Sequence, residues 1–75
     1  MATQFRVIDM RNGADAPKEV IVDKARSPEE AARLATGELL VRSGRRNDLR
    51  VRVYFKQAGQ PTTMVRLYQR VEDRA

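Results

Sequence analysis

The C-terminal third of the chain places basic or tyrosine side chains at alternate positions, a spacing that can align positive charge along an anionic polymer. The pattern occupies two segments, 49–56 and 63–71, and apolar residues hold most of the intervening positions. Side chains in a strand point alternately to opposite faces, so each segment predicts a strand with one apolar and one basic face. Neither segment contains an acid. The predicted binding residues are Arg50, Arg52, Tyr54, Lys56, Arg66, Tyr68 and Arg70.

Such a face could bind nucleic acid, DNA or RNA. Basic residues two apart on a strand are separated by about 6.6 to 6.8 Å, which suits a row of phosphates. Arginine meets phosphate oxygens with two parallel N–H donors, and tyrosines on a sheet can stack on unpaired bases. Between positions 42 and 70, eight basic residues and one acid, Asp48, give a net charge of +7, so the rest of the chain sums to −2 of the total +5. Three further cations in this region are expected to support the face: Arg42, Arg45 and Arg46.

The same residues also allow a surface with no ligand. If Tyr54 lies opposite Arg66 and Arg52 lies opposite Tyr68, each cross-strand pair stabilises the sheet by about 0.2–1 kcal/mol. The basic side chains would then have their interaction partners within the sheet, and the face would need no ligand. Basic side chains on a strand also discourage edge-to-edge aggregation.

A third possibility is a protein-interaction module. One helix cannot cover both faces of a sheet, so the second face could meet an acidic protein or a second copy of the chain through Met64, Tyr54 and Tyr68. Pairing of an edge strand would also give a homodimer, and would suit a core this small.

The elements that position these residues follow from the rest of the sequence. Apolar runs at 4–10 and 18–25 predict a hairpin joined by the turn-rich segment 11–17. Ser27 is the expected N-cap of a helix, with Pro28 at its first position and Glu30 completing a capping box. We expect this helix to continue through Gly37 and to stop at Ser43-Gly44.

The predicted order is therefore β-β-α-β-β. The fold class is α+β, with one helix packed on one face of an antiparallel four-stranded sheet in two layers. Residues 1–75 form a single domain whose C-terminus frays after about 72. The pattern leaves the strand order open.

Composition argues against an enzyme. The chain has neither histidine nor cysteine, which removes the commonest general base, the commonest transition-metal ligand and any disulfide. Its glycines are isolated, so no phosphate loop or dinucleotide motif is present. We expect no catalytic residue, cofactor, metal or small-molecule substrate. No apolar run is long enough to span a bilayer, and we expect a cytoplasmic protein without membrane contact.

Overall fold

One antiparallel sheet and one helix make up the part of the chain that the computed structural model describes, residues 3–10 and 18–70. The sheet order is β2-β1-β4-β5-β3, and every neighbouring pair is antiparallel. The elements are β1 (Phe5–Asp9), β2 (Lys18–Val22), α1 (Pro28–Thr36), β3 (Leu40–Val41), a 3₁₀ helix η1 (Arg46–Asp48), β4 (Leu49–Phe55) and β5 (Thr63–Gln69). The α+β prediction is confirmed. The prediction of four strands is wrong, because Leu40 and Val41 form a fifth strand against the end of β5.

Alternation in the strands sets the core. Val51, Val53 and Leu67 are completely buried, as the apolar faces of β4 and β5 predict. On β1, which lies between β2 and β4, Phe5 and Val7 point the same way, and the Phe5 ring packs on that of Phe55 with centroids 5.1 Å apart. The helix seals this layer with Ala31 and Ala32, both fully buried. Small side chains at these positions let α1 lie close to the sheet, so that it contacts all five strands.

The helix begins where the sequence predicts. Ser27 is the N-cap, and its Oγ accepts a hydrogen bond from the Glu30 backbone N–H at 3.1 Å. Pro28 takes the first helical position, where a missing N–H costs nothing. The capping-box prediction is wrong in one detail: the Glu30 carboxylate accepts from the N–H of Arg26 at 2.6 Å, one residue before the N-cap.

Replacing the cap should be costly for so short a helix. We expect Ser27→Ala to lower the free energy of unfolding by about 1 kcal/mol, because the Glu30 N–H loses its acceptor. Urea denaturation followed by circular dichroism measures the change. Ser27→Asp is the matched control and should retain most of the stability, since aspartate also caps helices. An equal loss in both variants would show that the cap contributes nothing.

The helix ends earlier than predicted. Gly37 adopts a left-handed conformation with φ of 78°, which glycine takes without a steric penalty, and its N–H closes the last turn on the Arg33 carbonyl at 2.7 Å. Thr36 adds a second stop, since its Oγ1 accepts the Glu38 N–H at 3.1 Å. The predicted continuation to Ser43-Gly44 is therefore wrong. Leu39, which lies within the predicted helix, is 54% exposed and precedes β3.

The pairing of β4 with β5 also differs from the register considered in the sequence. Val53 lies opposite Val65, and Arg52 lies directly opposite Arg66. The register shifts between Leu49 and Val51, which leaves Arg50 as the additional residue of a β-bulge. The expected pairs of Tyr54 with Arg66 and of Arg52 with Tyr68 are therefore wrong: Tyr54 faces Met64, and Tyr68 faces Leu49.

Two predictions fall outside the described residues: the turn at 11–17 and the frayed end after about 72. Within the described ranges, the one α-helix has nine residues, and no helix is long and apolar enough to cross a membrane.

Candidate functional site

The sheet face opposite α1, here called the outer face, carries the alternate residues of the strands. On β4 and β5 it presents Arg52, Tyr54, Arg66 and Tyr68, because the residues between them are buried beneath the helix. This placement follows directly from the two-residue period. The cationic and aromatic side chains predicted on these strands therefore lie on one surface.

Two arginines on this surface lie directly opposite each other, Arg52 on β4 and Arg66 on β5. Residues directly opposite in an antiparallel pair have Cβ atoms about 4.5–5.5 Å apart, so the two guanidinium groups start from neighbouring positions. Neither side chain has an ion-pair partner among the described residues. The Arg52 Nε is shielded from solvent and has no hydrogen-bond acceptor within the described part of the chain. A shielded, unpaired donor of this kind costs free energy unless an acceptor reaches it.

A depression of about 500 Å³ surrounds this pair at the end of the sheet where β4 begins and β5 ends. We call it the arginine depression. It is lined by Arg46, Leu49, Arg52, Arg66 and Tyr68, which come from η1, β4 and β5. None of these lining residues is acidic. The geometry brings Arg46, predicted only as a supporting cation, to the same place as the central arginine pair.

The segment that follows β3 packs against the Cβ and Cγ atoms of Tyr68. Gly44 approaches so closely that a Cβ at that position would lie 2.7 Å from Tyr68 Cβ and 3.0 Å from its Cγ. On the neighbouring strand, Leu49 lies opposite Tyr68. These contacts fix the ring as part of the wall of the depression. The second tyrosine, Tyr54, lies opposite Met64 and beneath Arg6, whose guanidinium carbon is 5.9 Å from the ring centroid.

An ion pair brings an acid onto the outer face beside β4. Arg6 Nε donates to Glu19 Oε1 at 2.8 Å across the β1–β2 pair. This hydrogen bond lowers the pKa of the Glu19 carboxyl below its ordinary value. The absence of acid predicted from β4 and β5 therefore describes only that half of the face, and Arg6 is neutralised while Arg52 and Arg66 are not.

The remaining predicted cations occupy different positions. Lys56 follows β4, is exposed, and borders a smaller depression together with Arg6, Tyr54 and Thr62. Arg50 sits in the bulge, and its Nε is shielded and lacks a hydrogen-bond acceptor in residues 3–10 and 18–70. Arg70 follows the last residue of β5 and is partly buried.

Arg42 does not belong to the outer face. Its Nε donates to Glu29 Oε2 at 2.7 Å, and its second nitrogen donates to Oε1 at 3.1 Å, so it pairs with the first turn of α1. The bond to Arg42 is the main cause that lowers the pKa of Glu29. Arg45 is exposed and contributes its carbonyl to η1, where the Asp48 N–H donates to it at 2.9 Å. Neither residue lines the arginine depression.

Four contributors to this surface were not predicted from the sequence: Arg6, Glu19, Gly44 and Leu49. Arg6 could have been found, because it lies between the buried residues Phe5 and Val7 and must point away from them. The position of Leu49 depends on the bulge, and the contact of Gly44 depends on the path after β3. Neither leaves a local signal in the sequence.

No protein-family model, curated protein or solved structure matches this chain.

Proposed function

We propose that this domain is a small non-enzymatic module that binds nucleic acid weakly, with little base specificity, through the outer face of β4 and β5. The observation that carries the proposal is the placement of Arg52 directly opposite Arg66 without an acidic partner. Like charges directly opposite in a sheet are destabilising. Phosphates held against the two guanidinium groups would remove that cost and supply an acceptor for the shielded Arg52 Nε.

The cations nearest this pair define the contact. Arg46 joins it within the arginine depression, and Lys56 stands further along the same face. These side chains donate hydrogen bonds and carry charge, which is the chemistry of phosphate contact. Because Tyr68 is enclosed at its base and Tyr54 lies beneath Arg6, we assign both rings to positioning the arginines, with base stacking as a lesser contribution.

The salt dependence of binding tests the proposal. If Arg46, Arg52, Lys56 and Arg66 each neutralise one phosphate, the slope of log K against log salt should be about −2.8 for single strands and about −3.6 for duplex. In the variant Arg52→Gln/Arg66→Gln the slope should become shallower by about 1.4 and 1.8 respectively. Fluorescence anisotropy with a mixed-sequence oligonucleotide over a salt series measures both values.

The matched control is Lys24→Gln/Arg33→Gln, which removes the same charge from exposed positions in the β2–α1 connection and on the helix. It should keep the original slope. A flat salt response of the unmodified domain, or an equal change in both double variants, would contradict the proposal.

A second candidate function is association with another copy of the chain. The observation that favours it is apolar exposure on the same face, where Ile21 is 49% exposed and lies diagonally across from the partly buried Ile8 on β1. Met64, also partly buried, lies on this face three strands away in β5. Sedimentation velocity over a range of protein concentrations distinguishes the two. A dimer whose formation blocks oligonucleotide binding would favour association; a monomer at all concentrations would exclude it.

A further inference from the structure

The arginine depression is built differently from a simple row of phosphate contacts. Three arginines line it from three separate elements: Arg46 from η1, Arg52 from β4 and Arg66 from β5. A backbone passing over a flat sheet would meet cations spaced along its length. Here the cations are concentrated in one place, so they suit one highly charged group rather than a line of singly charged ones.

The charge balance of the depression supports a dianion. Asp48, the acid nearest in sequence, is buried in η1 and does not line it, and Glu19 is paired with Arg6. An internal phosphodiester carries one negative charge and has two unbridged oxygens. A phosphate monoester carries about −1.5 to −2 at neutral pH and has three acceptor oxygens. Three arginines lining one depression match the monoester better in charge and in number of acceptors.

The position of the depression also favours a terminal phosphate. It lies at one end of the sheet and is bounded there by η1, while the rest of the outer face extends along β4 towards Tyr54 and Lys56. A strand lying along this face would have its last phosphate at Arg46. At about 500 Å³ the depression falls within the range of small-molecule pockets, large enough for a phosphate together with part of its sugar.

We propose that the arginine depression binds the terminal phosphate monoester of a nucleic-acid strand. This inference rests on the proposed function, since it identifies which part of the nucleic acid the central arginines contact. In this arrangement Arg52 and Arg66 donate hydrogen bonds to the phosphate oxygens, and Arg46 lies where the nucleic-acid strand ends.

Oligonucleotides of one sequence, carrying a 5′-phosphate, a 3′-phosphate or hydroxyl groups at both ends, test the inference. An internal fluorophore keeps both ends free. At low salt, one of the two phosphorylated strands should bind about tenfold more tightly than the hydroxyl-ended strand, the gain from one or two added charge-assisted hydrogen bonds. The end that gives the gain establishes the direction of the strand on the sheet.

Neighbouring arginines provide the matched variants. Arg46→Gln should remove most of the preference for the phosphorylated end, because Arg46 lines the depression. Arg45→Gln removes the same charge one residue away, from a side chain that does not line it, and should keep the preference. Circular dichroism of both variants establishes that each is folded.

The outcomes separate this inference from the function on which it rests. Equal affinity for phosphorylated and hydroxyl-ended strands, with a steep salt dependence retained, would overturn the inference and leave the proposed function standing. Absence of binding to every strand would overturn both. Binding of inorganic phosphate is a further measurement. If inorganic phosphate binds the depression as tightly as the phosphorylated strand does, the ligand is a small phosphate and the assignment to a strand end is wrong.

Discussion

Arg66→Glu should make the domain more stable while nearly abolishing its binding to nucleic acid. The substitution replaces one member of a directly opposed like-charge pair, so a repulsive cross-strand contact with Arg52 becomes an attractive one. Cross-strand charge pairs contribute about 0.2–1 kcal/mol, and we expect the free energy of unfolding to rise by an amount in that range. Binding should fall by about one to two orders of magnitude at low salt, because a phosphate contact is lost and a repulsive charge is added.

Stability should rise while affinity falls, so a loss of binding in this variant cannot be attributed to unfolding. Urea denaturation and oligonucleotide anisotropy on the same preparation measure both. Lys24→Glu makes the same charge change in the exposed β2–α1 connection, and it should alter neither quantity as strongly. Arg66→Lys keeps the charge but loses the planar fork, so it should retain part of the affinity. If Arg66→Glu lowers stability and leaves binding unchanged, the arginine pair serves the fold alone.

The inward and outward residues of β4 and β5 could be predicted from the sequence because a strand repeats every two residues. Their pairing could not. Sliding β5 by two residues along β4 would replace Val65 with Leu67 opposite Val53, and both are apolar residues that the core accepts. The hydrophobic pattern therefore does not distinguish the two registers. Yet this change of register decides whether Arg52 lies opposite a tyrosine or opposite another arginine. It therefore decides whether the basic side chains pair within the sheet or remain available to an anion.

The end of the helix could not be predicted for a related reason. The apolar period of α1 continues in register into Leu39 and Leu40, so Gly37 could be placed within a helix as easily as at its end. The chain instead turns at Gly37 and gives Leu40 to the core from β3. A two-residue strand is too short for alternation to reveal it.

Charge pairing was the other feature that the sequence concealed. Arg6 with Glu19 and Arg42 with Glu29 are each separated by thirteen residues, a distance with no helical or strand periodicity behind it. They meet because the sheet order places β2 beside β1, and because α1 begins near the end of β3. These pairs neutralise Arg6 and Arg42, whereas Arg52 and Arg66 have no acidic partner among the described residues, a distinction that counting charges along the chain does not make.

Gly44→Ala should destabilise the domain by about 1–3 kcal/mol, the usual range for forcing an atom into an already filled contact. The added Cβ would lie 2.7 Å from Tyr68 Cβ, an atom fixed to the backbone of β5 that cannot swing aside as the tip of a side chain can. The backbone at Gly44 does not have a positive φ, so the cost is steric rather than conformational. Either β5 or the segment before η1 must move, and movement of that segment would carry Arg46 out of the arginine depression. We therefore expect weaker binding together with lower stability.

A double-mutant cycle establishes the origin of that cost. Tyr68→Ala removes the Cγ and Cδ2 contacts, at 3.0 and 3.3 Å, but keeps the Cβ, so the cost of Gly44→Ala in this background should shrink without disappearing. Urea denaturation of the four proteins gives the coupling energy, and Ser43→Ala, an exposed neighbour, controls for changes in the segment itself. An identical cost in both backgrounds would mean that the ring takes no part in the clash. Measured coupling would instead show that Gly44 and the Tyr68 ring pack against each other at the wall of the arginine depression.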